Sequence, residues 1–221
     1  MLHGKVVVVT GANGALGRVA AALAAEQGAQ VVGLDLRFDG TSGAHQYALD
    51  LTDAAATSAC VATIGRVDVL LNIAGGFAMG PTVHETTPEQ WQHMTRMNVD
   101  TARNMIKAVV PGMLARGRGS IVNVGALSAR EGQANMGAYC VAKSTVMRLT
   151  ESLAKELRAK GINVNAVLPS IIDTPTNRQD MPDADYSRWV APRDLAAVIC
   201  FLGSDAARAI HGALVPVTGL A

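Results

Sequence analysis

Cysteine and charged residues are scarce in this sequence, and each shortage excludes a class of protein. The three cysteines, Cys60, Cys140 and Cys200, are far apart and odd in number, which fits neither a disulfide framework nor a CxxC metal site. Charged residues make up 17% of the chain and the formal net charge is +1, so there is no excess basic field for nucleic acid or acidic membranes. We therefore expect a reduced, cytoplasmic protein with no metal, no nucleic-acid partner and no membrane partner.

Long hydrophobic runs are missing as well. The four valines at residues 6–9 are too few for the apolar core of a signal peptide. No segment approaches the ~20 apolar residues that a membrane-spanning helix needs. Hydrophobic residues nevertheless reach 49% of the chain, and many of them are alanine and valine. This composition predicts a large core in which small-residue helices pack closely against a sheet.

Short apolar runs alternate with helical periodicity along the chain, as in βαβ units built on a parallel sheet. The pattern predicts strands at residues 5–10, 30–35, 67–72, 120–124, 162–168 and 213–217. It predicts helices at residues 16–27, 53–64, 88–113, 138–159 and 192–202. The sequence thus predicts a single α/β domain over residues 1–221, with a doubly wound parallel sheet of the Rossmann type.

Residues 174–192 match none of these core elements. They contain Pro175, Pro182 and Pro192, mixed charges, and the aromatic residues Tyr186 and Trp189. Loops of this length inside a compact domain usually have a function. We interpret the segment as a lid over the substrate, with a plain surface loop as the alternative.

A glycine-rich turn joins the first predicted strand to the first predicted helix. Such a turn lets the backbone approach a pyrophosphate, and the helix N-terminus then offers N–H donors and a favourable dipole. The turn supplies six candidate cofactor-binding residues: Gly11, Asn13, Gly14, Ala15, Leu16 and Gly17.

The second predicted strand ends in Asp35 and Leu36, about 20 residues after the glycines, where a carboxylate binds the 2′-hydroxyl of a ribose. A 2′-phosphate at the same place would meet a like charge, so NAD(H) is predicted to be preferred. Arg37 leaves NADP(H) as the alternative, because its side chain could turn towards a 2′-phosphate.

Tyr139 and Lys143 form a YxxxK pair at the start of a predicted helix. Positions four apart share one helix face, so the phenol and the ammonium are expected to converge on one site. The positive charge is expected to lower the pKa of the tyrosine into a range useful for acid–base catalysis. Lys143 is also a candidate for holding the nicotinamide ribose.

Together, the spacing of Gly11, Gly14 and Gly17, the carboxylate of Asp35 and the YxxxK pair resemble the classical short-chain dehydrogenase/reductase family, whose glycine motif is TGxxxGxG. The resemblance covers essentially the whole chain. It implies an NAD(P)-dependent oxidoreductase acting on a small molecule, and a homodimer or homotetramer formed through the long helices.

The resemblance also assigns further roles. It implies that Asp50 and Leu51 contact the adenine and that Asn72, Ala74 and Gly75 form the family's turn against the adenosine ribose. Asn98 falls at the place of the proton-relay asparagine. The last cofactor contacts, along the nicotinamide, would come from Pro169, Ile172 and Thr174.

One expected residue is missing. The family usually has a serine 13 residues before the tyrosine, and here that position holds Ala126. Ser128, two positions further on, is the candidate replacement. The direct interpretation is that the serine hydroxyl has been lost.

The loss of the serine narrows the resemblance to the dihydropteridine reductases. In those enzymes an alanine replaces the serine and a methionine precedes the tyrosine by three residues, as Met136 does here. Their AGGW-type turn resembles residues 74–77, and their LP…DTPxNRxxMPxADFxxW run resembles residues 167–189.

Three functions remain in competition. The main prediction is reduction of a conjugated C=N or C=O substrate, of which a dihydropteridine is the model. The alternative is a generic carbonyl reductase or alcohol dehydrogenase for ketone or 3-oxoacyl substrates, with Ser128 as hydrogen-bond donor. The third is a non-catalytic nucleotide-binding regulator on the same scaffold, which the intact set of Tyr139, Lys143 and Asn98 argues against.

Overall fold

The computed structural model describes residues 1–39 and 45–220. Its sheet contains seven strands, all parallel: β1 (Val6–Thr10), β2 (Gln30–Asp35), β3 (Gln46–Ala48), β4 (Val69–Asn72), β5 (Gly119–Val124), β6 (Ile162–Pro169) and β7 (Leu214–Val217). The α-helices are α1 (Ala15–Glu26), α2 (Ala54–Ile64), α3 (Pro88–Thr95), α4 (Thr101–Arg116), α5 (Gly137–Leu157), α6 (Pro175–Asp180) and α7 (Pro192–Leu202).

The strands lie in the order β3-β2-β1-β4-β5-β6-β7, so the direction of winding reverses between β1 and β4. In open α/β sheets, ligands bind in the crevice outside the carboxyl ends of the strands at this reversal. The register places Thr10 beside Leu34 on one side and beside Asn72 on the other. The ends of β1, β2 and β4 therefore meet at one edge of the sheet, where the predicted cofactor residues follow them.

The central strands are buried along nearly their whole length because helices cover both faces of the sheet. In β1, Val7, Val8 and Val9 are all fully buried. The largest hydrophobic cluster joins the sheet to α1 and α7, and a second joins it to α2, α4 and α5. The predicted doubly wound parallel sheet is confirmed.

Two elements differ from the sequence-based expectation. Strand β3 was missed, because it is three residues long, carries no hydrophobic run, and pairs only along the edge of β2. The helix predicted over residues 88–113 is divided by a π-helical turn, Arg96–Asp100, and then continues past Pro111 to Arg116. The π-helical turn is only five residues long, so the apolar pattern over the surrounding window did not reveal it.

Residues 174–192 contain more structure than the loop that the sequence suggested. They include α6 and a 3₁₀ turn, Tyr186–Arg188. The segment returns to the core at Trp189 and Val190, which are both buried, and Val190 forms a parallel bridge with Ile172. The prolines had concealed these short elements.

No helix within residues 1–39 and 45–220 is long and apolar enough to cross a membrane. Within the same ranges, no group of three or more His, Cys, Asp or Glu side chains is placed to hold a metal ion.

Candidate active site

The glycine-rich turn after β1 is packed too tightly for side chains. A Cβ atom added to Gly17 would lie 1.9 Å from the carbonyl oxygen of Gly11. Gly11 itself has a φ of +64°, and a Cβ there would lie 3.0 Å from the backbone of Ala74. The first and third glycines are therefore required by close backbone packing.

The glycine pattern needs one correction. Ala15 occupies the place of the second glycine in TGxxxGxG, and the glycine stands one residue earlier, at Gly14. Ala15 is the first residue of α1 and is exposed, so its methyl group is tolerated there.

The N-terminus of α1 suits an anion. Its N-cap residue is Gly14, which has no side chain to accept from the first N–H groups, and its first turn carries no carboxylate. Free N–H donors and the positive end of the helix dipole then face the crevice. A dinucleotide pyrophosphate fits this cradle.

Asp35 is held in place by the glycine turn. One carboxylate oxygen accepts from the backbone N–H of Asn13 at 2.8 Å, and the other accepts from the N–H of Leu36 at 2.7 Å. The Leu36 side chain is 70% exposed, which is unusual for leucine and leaves an apolar surface beside the carboxylate. Asp35, Asn13 and Leu36, three of the predicted cofactor-binding residues, are thus joined by hydrogen bonds.

The predicted adenine contacts, Asp50 and Leu51, lie between β3 and α2. Asp50 accepts from the backbone N–H of Thr52 at 2.8 Å, and this backbone hydrogen bond holds the pKa of the carboxyl below its usual value. Leu51 is buried in the core cluster beside β2, and its carbonyl oxygen accepts from the Asn104 side chain at 2.9 Å. The burial of Leu51 and these two hydrogen bonds therefore hold the pair in place.

Thr10 is a site residue that sequence reasoning missed. Its hydroxyl oxygen accepts from the backbone N–H groups of Ile73 and Ala74, both at 3.0 Å. The end of β1 thereby fixes the turn that follows β4. The signal was available, because a hydroxyl at the last position of a strand can satisfy a neighbouring turn.

Gly75 marks the point where the predicted catalytic residues converge. A Cβ atom added there would lie 2.6 Å from Asn98 Oδ1 and 3.2 Å from Lys143 Nζ. Three residues far apart in sequence, on the β4 turn, the π-helical turn and α5, therefore meet at one place. Only a glycine leaves room between these two polar side chains.

Asn98 lies on the π-helical turn and is fully occupied by the backbone around it. Its Nδ2 donates to the carbonyl oxygens of Gly76 (3.1 Å) and Met94 (3.2 Å), and its Oδ1 accepts from the Gly76 N–H (3.1 Å). Single π-helical turns within helices are frequent at functional sites. Here the turn places a buried asparagine where it holds the Gly75–Gly76 peptide.

Lys143 is the one lysine among the buried polar residues in the described part of the chain. It is 6% exposed and its Nζ donates to the carbonyl oxygen of Val124 at 3.0 Å. Burial lowers its pKa from 10.5 to about 8. Lys143 is therefore a buried group and not a solvated surface lysine.

The expected lowering of the Tyr139 pKa is wrong for the protein without a cofactor. Burial of the phenol raises its pKa to about 12, and the neighbouring Cys140 adds to the shift. The physical reason is that Lys143 is committed to Val124, while desolvation disfavours the phenolate. The hydroxyl of Tyr139 has no hydrogen-bond partner within the described residues.

Phe77 is a second site residue, which the sequence had singled out only for its resemblance to an AGGW turn. Its ring meets that of Tyr139 edge to face, with centroids 4.9 Å apart and an interplanar angle of 85°. Phe77 is nevertheless 54% exposed. An exposed aromatic ring at the edge of the predicted catalytic phenol is accessible to a ligand.

Ala126 confirms that no hydroxyl stands at the usual serine position. It is 3% exposed and belongs to a small apolar cluster against which Tyr139 packs. Ser128 follows on a 3₁₀ turn, Leu127–Arg130, and its carbonyl oxygen accepts from Cys140 Sγ at 3.6 Å. The Ser128 hydroxyl makes no hydrogen bond within residues 1–39 and 45–220. The backbone of Ser128 thus lies beside the residue that follows Tyr139.

An open cleft of about 420 Å³ reaches Tyr139 from the side of α3. Its walls are largely apolar, with Met79, Met94 and Met136 among the lining residues, and His93 contributes a polar group. A hydrogen bond from Gly80 N–H to the Asn135 carbonyl oxygen, 2.8 Å long, ties its two sides together. Methionines adapt their shape, so this cleft suits an apolar or mixed ligand.

The three residues expected along the nicotinamide lie at and after the end of β6. Pro169 is buried as the last residue of that strand, and Ile172 is half-buried. Thr174 is the N-cap of α6, where its hydroxyl accepts from the Asn177 N–H at 3.2 Å. Its side chain therefore also begins the helix of the predicted lid.

Comparison with known proteins agrees with this geometry. A family model described as short chain dehydrogenase matches residues 5–185. A 3-oxoacyl-[acyl-carrier-protein] reductase of Vibrio harveyi is 32% identical over 238 residues, covering 99% of this chain and 97% of the relative.

Two solved structures are similar over almost their whole length. A putative NAD(P)-dependent gluconate 5-dehydrogenase from Beutenbergia cavernae, with bound NADP at low occupancy, superposes with a TM-score of 0.89 at 32% identity, covering 99% of this chain and 96% of the other. Carveol dehydrogenase from Mycobacterium avium in complex with NAD gives a TM-score of 0.87 at 27% identity, covering 98% and 97%. The chain belongs to the short-chain dehydrogenase family of NAD(P)-dependent oxidoreductases.

Proposed function

We propose that this protein is an NAD(H)-dependent carbonyl reductase or alcohol dehydrogenase for a ketone or 3-oxoacyl substrate. The observation that carries the proposal is the meeting of Asn98 and Lys143 at Gly75, with Tyr139 one helical turn before Lys143 at the end of an apolar cleft. The relatives support this class, because the Vibrio protein is named as a 3-oxoacyl reductase. This relative supports the carbonyl reductase alternative better than the dihydropteridine reductase that the sequence had favoured.

Tyr139 is the proton donor in this proposal. A pKa of about 12 keeps the phenol protonated at neutral pH, as an acid that protonates the carbonyl oxygen must be. The hydride comes from the bound reduced cofactor. Tyr139 donates its proton to the oxygen, so that the C=O group becomes CH–OH.

Lys143 stabilises the phenolate form of Tyr139 and helps to return a proton to it. A phenolate left on Tyr139 is stabilised by an ammonium group in the same buried site. With a pKa of about 8, Lys143 is also able to pass a proton on near neutral pH. Asn98 acts through the backbone, because its hydrogen bonds to Gly76 hold the turn on which the cofactor would lie.

Ser128 supplies the second hydrogen-bond donor to the carbonyl oxygen. Losing one such donor typically costs about 10²–10³ in rate, so Ala126 alone would leave a ketone poorly activated. Ser128 is half-buried, its backbone lies beside Cys140, and its hydroxyl is the nearest one in sequence to position 126.

A second candidate is a quinonoid dihydropteridine or another activated acceptor. Two observations favour it: the apolar Ala126 packs near Tyr139, and the exposed ring of Phe77 offers a stacking surface for a flat ligand. Such an acceptor is already electron-poor and needs less stabilisation of the developing charge.

For the cofactor we propose a preference for NAD(H), with NADP(H) as the weaker ligand. The carboxylate of Asp35 is fixed by two backbone N–H groups, so it would remain in place against a 2′-phosphate. The two structural relatives carry NADP and NAD respectively, so both cofactors fit the fold.

For residues 174–192 we propose a lid over the cleft. Arg178 pairs with Asp173 at 2.6 and 2.8 Å and lies 4.7 Å from the ring centroid of Tyr186. Tyr186 in turn lies 4.8 Å from the Trp189 ring. This internal packing would let the segment move as one piece about its anchored ends.

For the assembly we propose a homodimer or homotetramer in which α4 and α5 pack against a second copy. Both helices carry exposed hydrophobic side chains, Leu114 at 38% and Val141 at 53%. Sedimentation equilibrium of the full chain distinguishes a dimer or tetramer from a monomer, and a monomer would refute the proposal.

The test of function is a comparison of kcat/KM for cyclic ketones, a 3-oxoacyl thioester and quinonoid dihydropterin with NADH. We expect the ketone or thioester to be the better substrate, and Ser128→Ala to lower its kcat/KM by about 10²-fold. Ser58→Ala, an exposed serine on α2, is the matched control. A better rate with the dihydropterin, unaffected by Ser128→Ala, would establish the second candidate instead.

A further inference from the structure

Arg18, on the first turn of α1, is held by three acceptors although it is largely exposed. Its Nε donates to the Asn13 carbonyl oxygen at 2.7 Å. One terminal nitrogen donates both to Asn13 Oδ1 and to the carboxylate of Asp39. The Arg18 and Asp39 side chains are 53% and 70% exposed, so water reaches the ion pair.

This arginine is connected directly to the residue that selects the cofactor. The N–H of Asn13 donates to Asp35, while the carbonyl oxygen and side chain of Asn13 accept from Arg18. Asp35, Asn13 and Arg18 therefore form one continuous hydrogen-bonded chain beside the glycine turn. A ribose bound through Asp35 would have its 2′-oxygen at one end of this chain.

Asp39 controls whether the Arg18 guanidinium is free to bind a phosphate. Guanidinium groups bind phosphate through two parallel N–H donors and are the preferred protein partner of that anion. In this structure Asp39 neutralises the guanidinium charge and occupies one of its terminal donors. An exposed ion pair contributes little to the free energy of unfolding, so removing Asp39 should leave the protein folded.

We propose that the Arg18–Asp39 pair sets how strongly the protein excludes a 2′-phosphorylated dinucleotide, with Asp39 withholding Arg18 from the phosphate. Asp35 repels a 2′-phosphate directly, and Asp39 removes the cation that would compensate. The inference rests on the proposed preference for NAD(H), and it adds two residues to Asp35 as determinants of that preference.

The experiment measures dissociation constants of NADH and NADPH by fluorescence titration of the full-length protein. In Asp39→Ala the ratio Kd(NADPH)/Kd(NADH) is expected to fall roughly threefold to tenfold, as one screened charge interaction allows. In the double variant Arg18→Ala/Asp39→Ala the ratio is expected to return to within about twofold of the unmodified value, because the released cation is gone.

The matched control is Glu26→Ala. Glu26 lies at the other end of α1, is also exposed, and is also paired with an arginine, Arg193, at 2.7 Å. Its removal changes the net charge equally but should leave the ratio unchanged. A ratio unaffected by Asp39→Ala, or a fall that persists in the double variant or appears equally in the control, would overturn the inference. The ratio in the unmodified protein separately tests the NAD(H) preference.

Discussion

The cofactor region and the substrate region lie on the same edge of the sheet but are built in opposite ways. Around the glycine turn, most of the contacts are made by backbone groups. Gly17 packs against the main chain of Gly11, and Asp35 accepts from two backbone N–H groups. Around Tyr139, side chains decide the surface, notably the ring of Phe77 and the methyl group of Ala126.

This difference predicts which of the two regions tolerates substitution and which does not. A backbone cradle tolerates almost no change, because an added Cβ atom collides with main chain that cannot move away. A surface formed by side chains changes its chemistry with one substitution and leaves the fold intact. The comparison predicts that substitutions in the two regions will separate binding, chemistry and stability.

The largest effect is expected in the substrate region. Tyr139→Phe keeps the ring and its contact with Phe77 but removes the proton donor, so kcat should fall about 10²–10⁴-fold. NADH affinity should change little. Tyr47→Phe, a half-buried tyrosine on β3, is the control. Retention of most activity in Tyr139→Phe would show that another group donates the proton.

The next effect belongs to the cofactor region. Gly17→Ala places a methyl group 1.9 Å from the Gly11 carbonyl oxygen, so the turn must open. Overpacking of this kind costs about 1–3 kcal/mol in the free energy of unfolding, and we expect NADH affinity to fall at least tenfold. Gly132→Ala is the control, since a Cβ atom there meets nothing within 4 Å. Normal NADH binding by Gly17→Ala would contradict the backbone account.

The smallest effect is a pH dependence of stability in the cofactor-free protein. Lys143 has a pKa of about 8 in the folded state against 10.5 ordinarily. Between these values the unfolded chain binds more protons than the folded protein, so the Lys143 contribution to the free energy of unfolding rises with pH. The full shift corresponds to about 3–4 kcal/mol, of which about 2 kcal/mol falls between pH 7.5 and 10.

Urea titrations of the unmodified protein and of Lys143→Met between pH 7.5 and 10 measure this contribution. Taking the difference between the two proteins cancels other groups that titrate there, among them Cys60, whose pKa is raised by burial. The advantage of Lys143→Met should shrink as pH rises. A constant difference across this range would mean that folding does not lower the pKa of Lys143.

Much of the fold was predictable because its signals are local. A run such as the valines of β1, followed by glycines and then by alanine and leucine at helical spacing, specifies strand, turn and helix without reference to the rest of the chain. Strand β3 and the π-helical turn at Asn98 were not predictable in this way. The first depends on pairing with β2, and the second on hydrogen bonds between Asn98 and Gly76, 22 residues away.

The candidate site divides along the same line. The sequence by itself determined the glycine cradle, the carboxylate of Asp35 and the common helix face of Tyr139 and Lys143, because each depends on residues close in the chain. Only the tertiary structure decided that Asn98 and Lys143 meet at Gly75, that Lys143 is buried against Val124, and that burial raises the pKa of Tyr139. Burial and long-range contact arise when distant segments exclude water together, and no local pattern records which segments those will be.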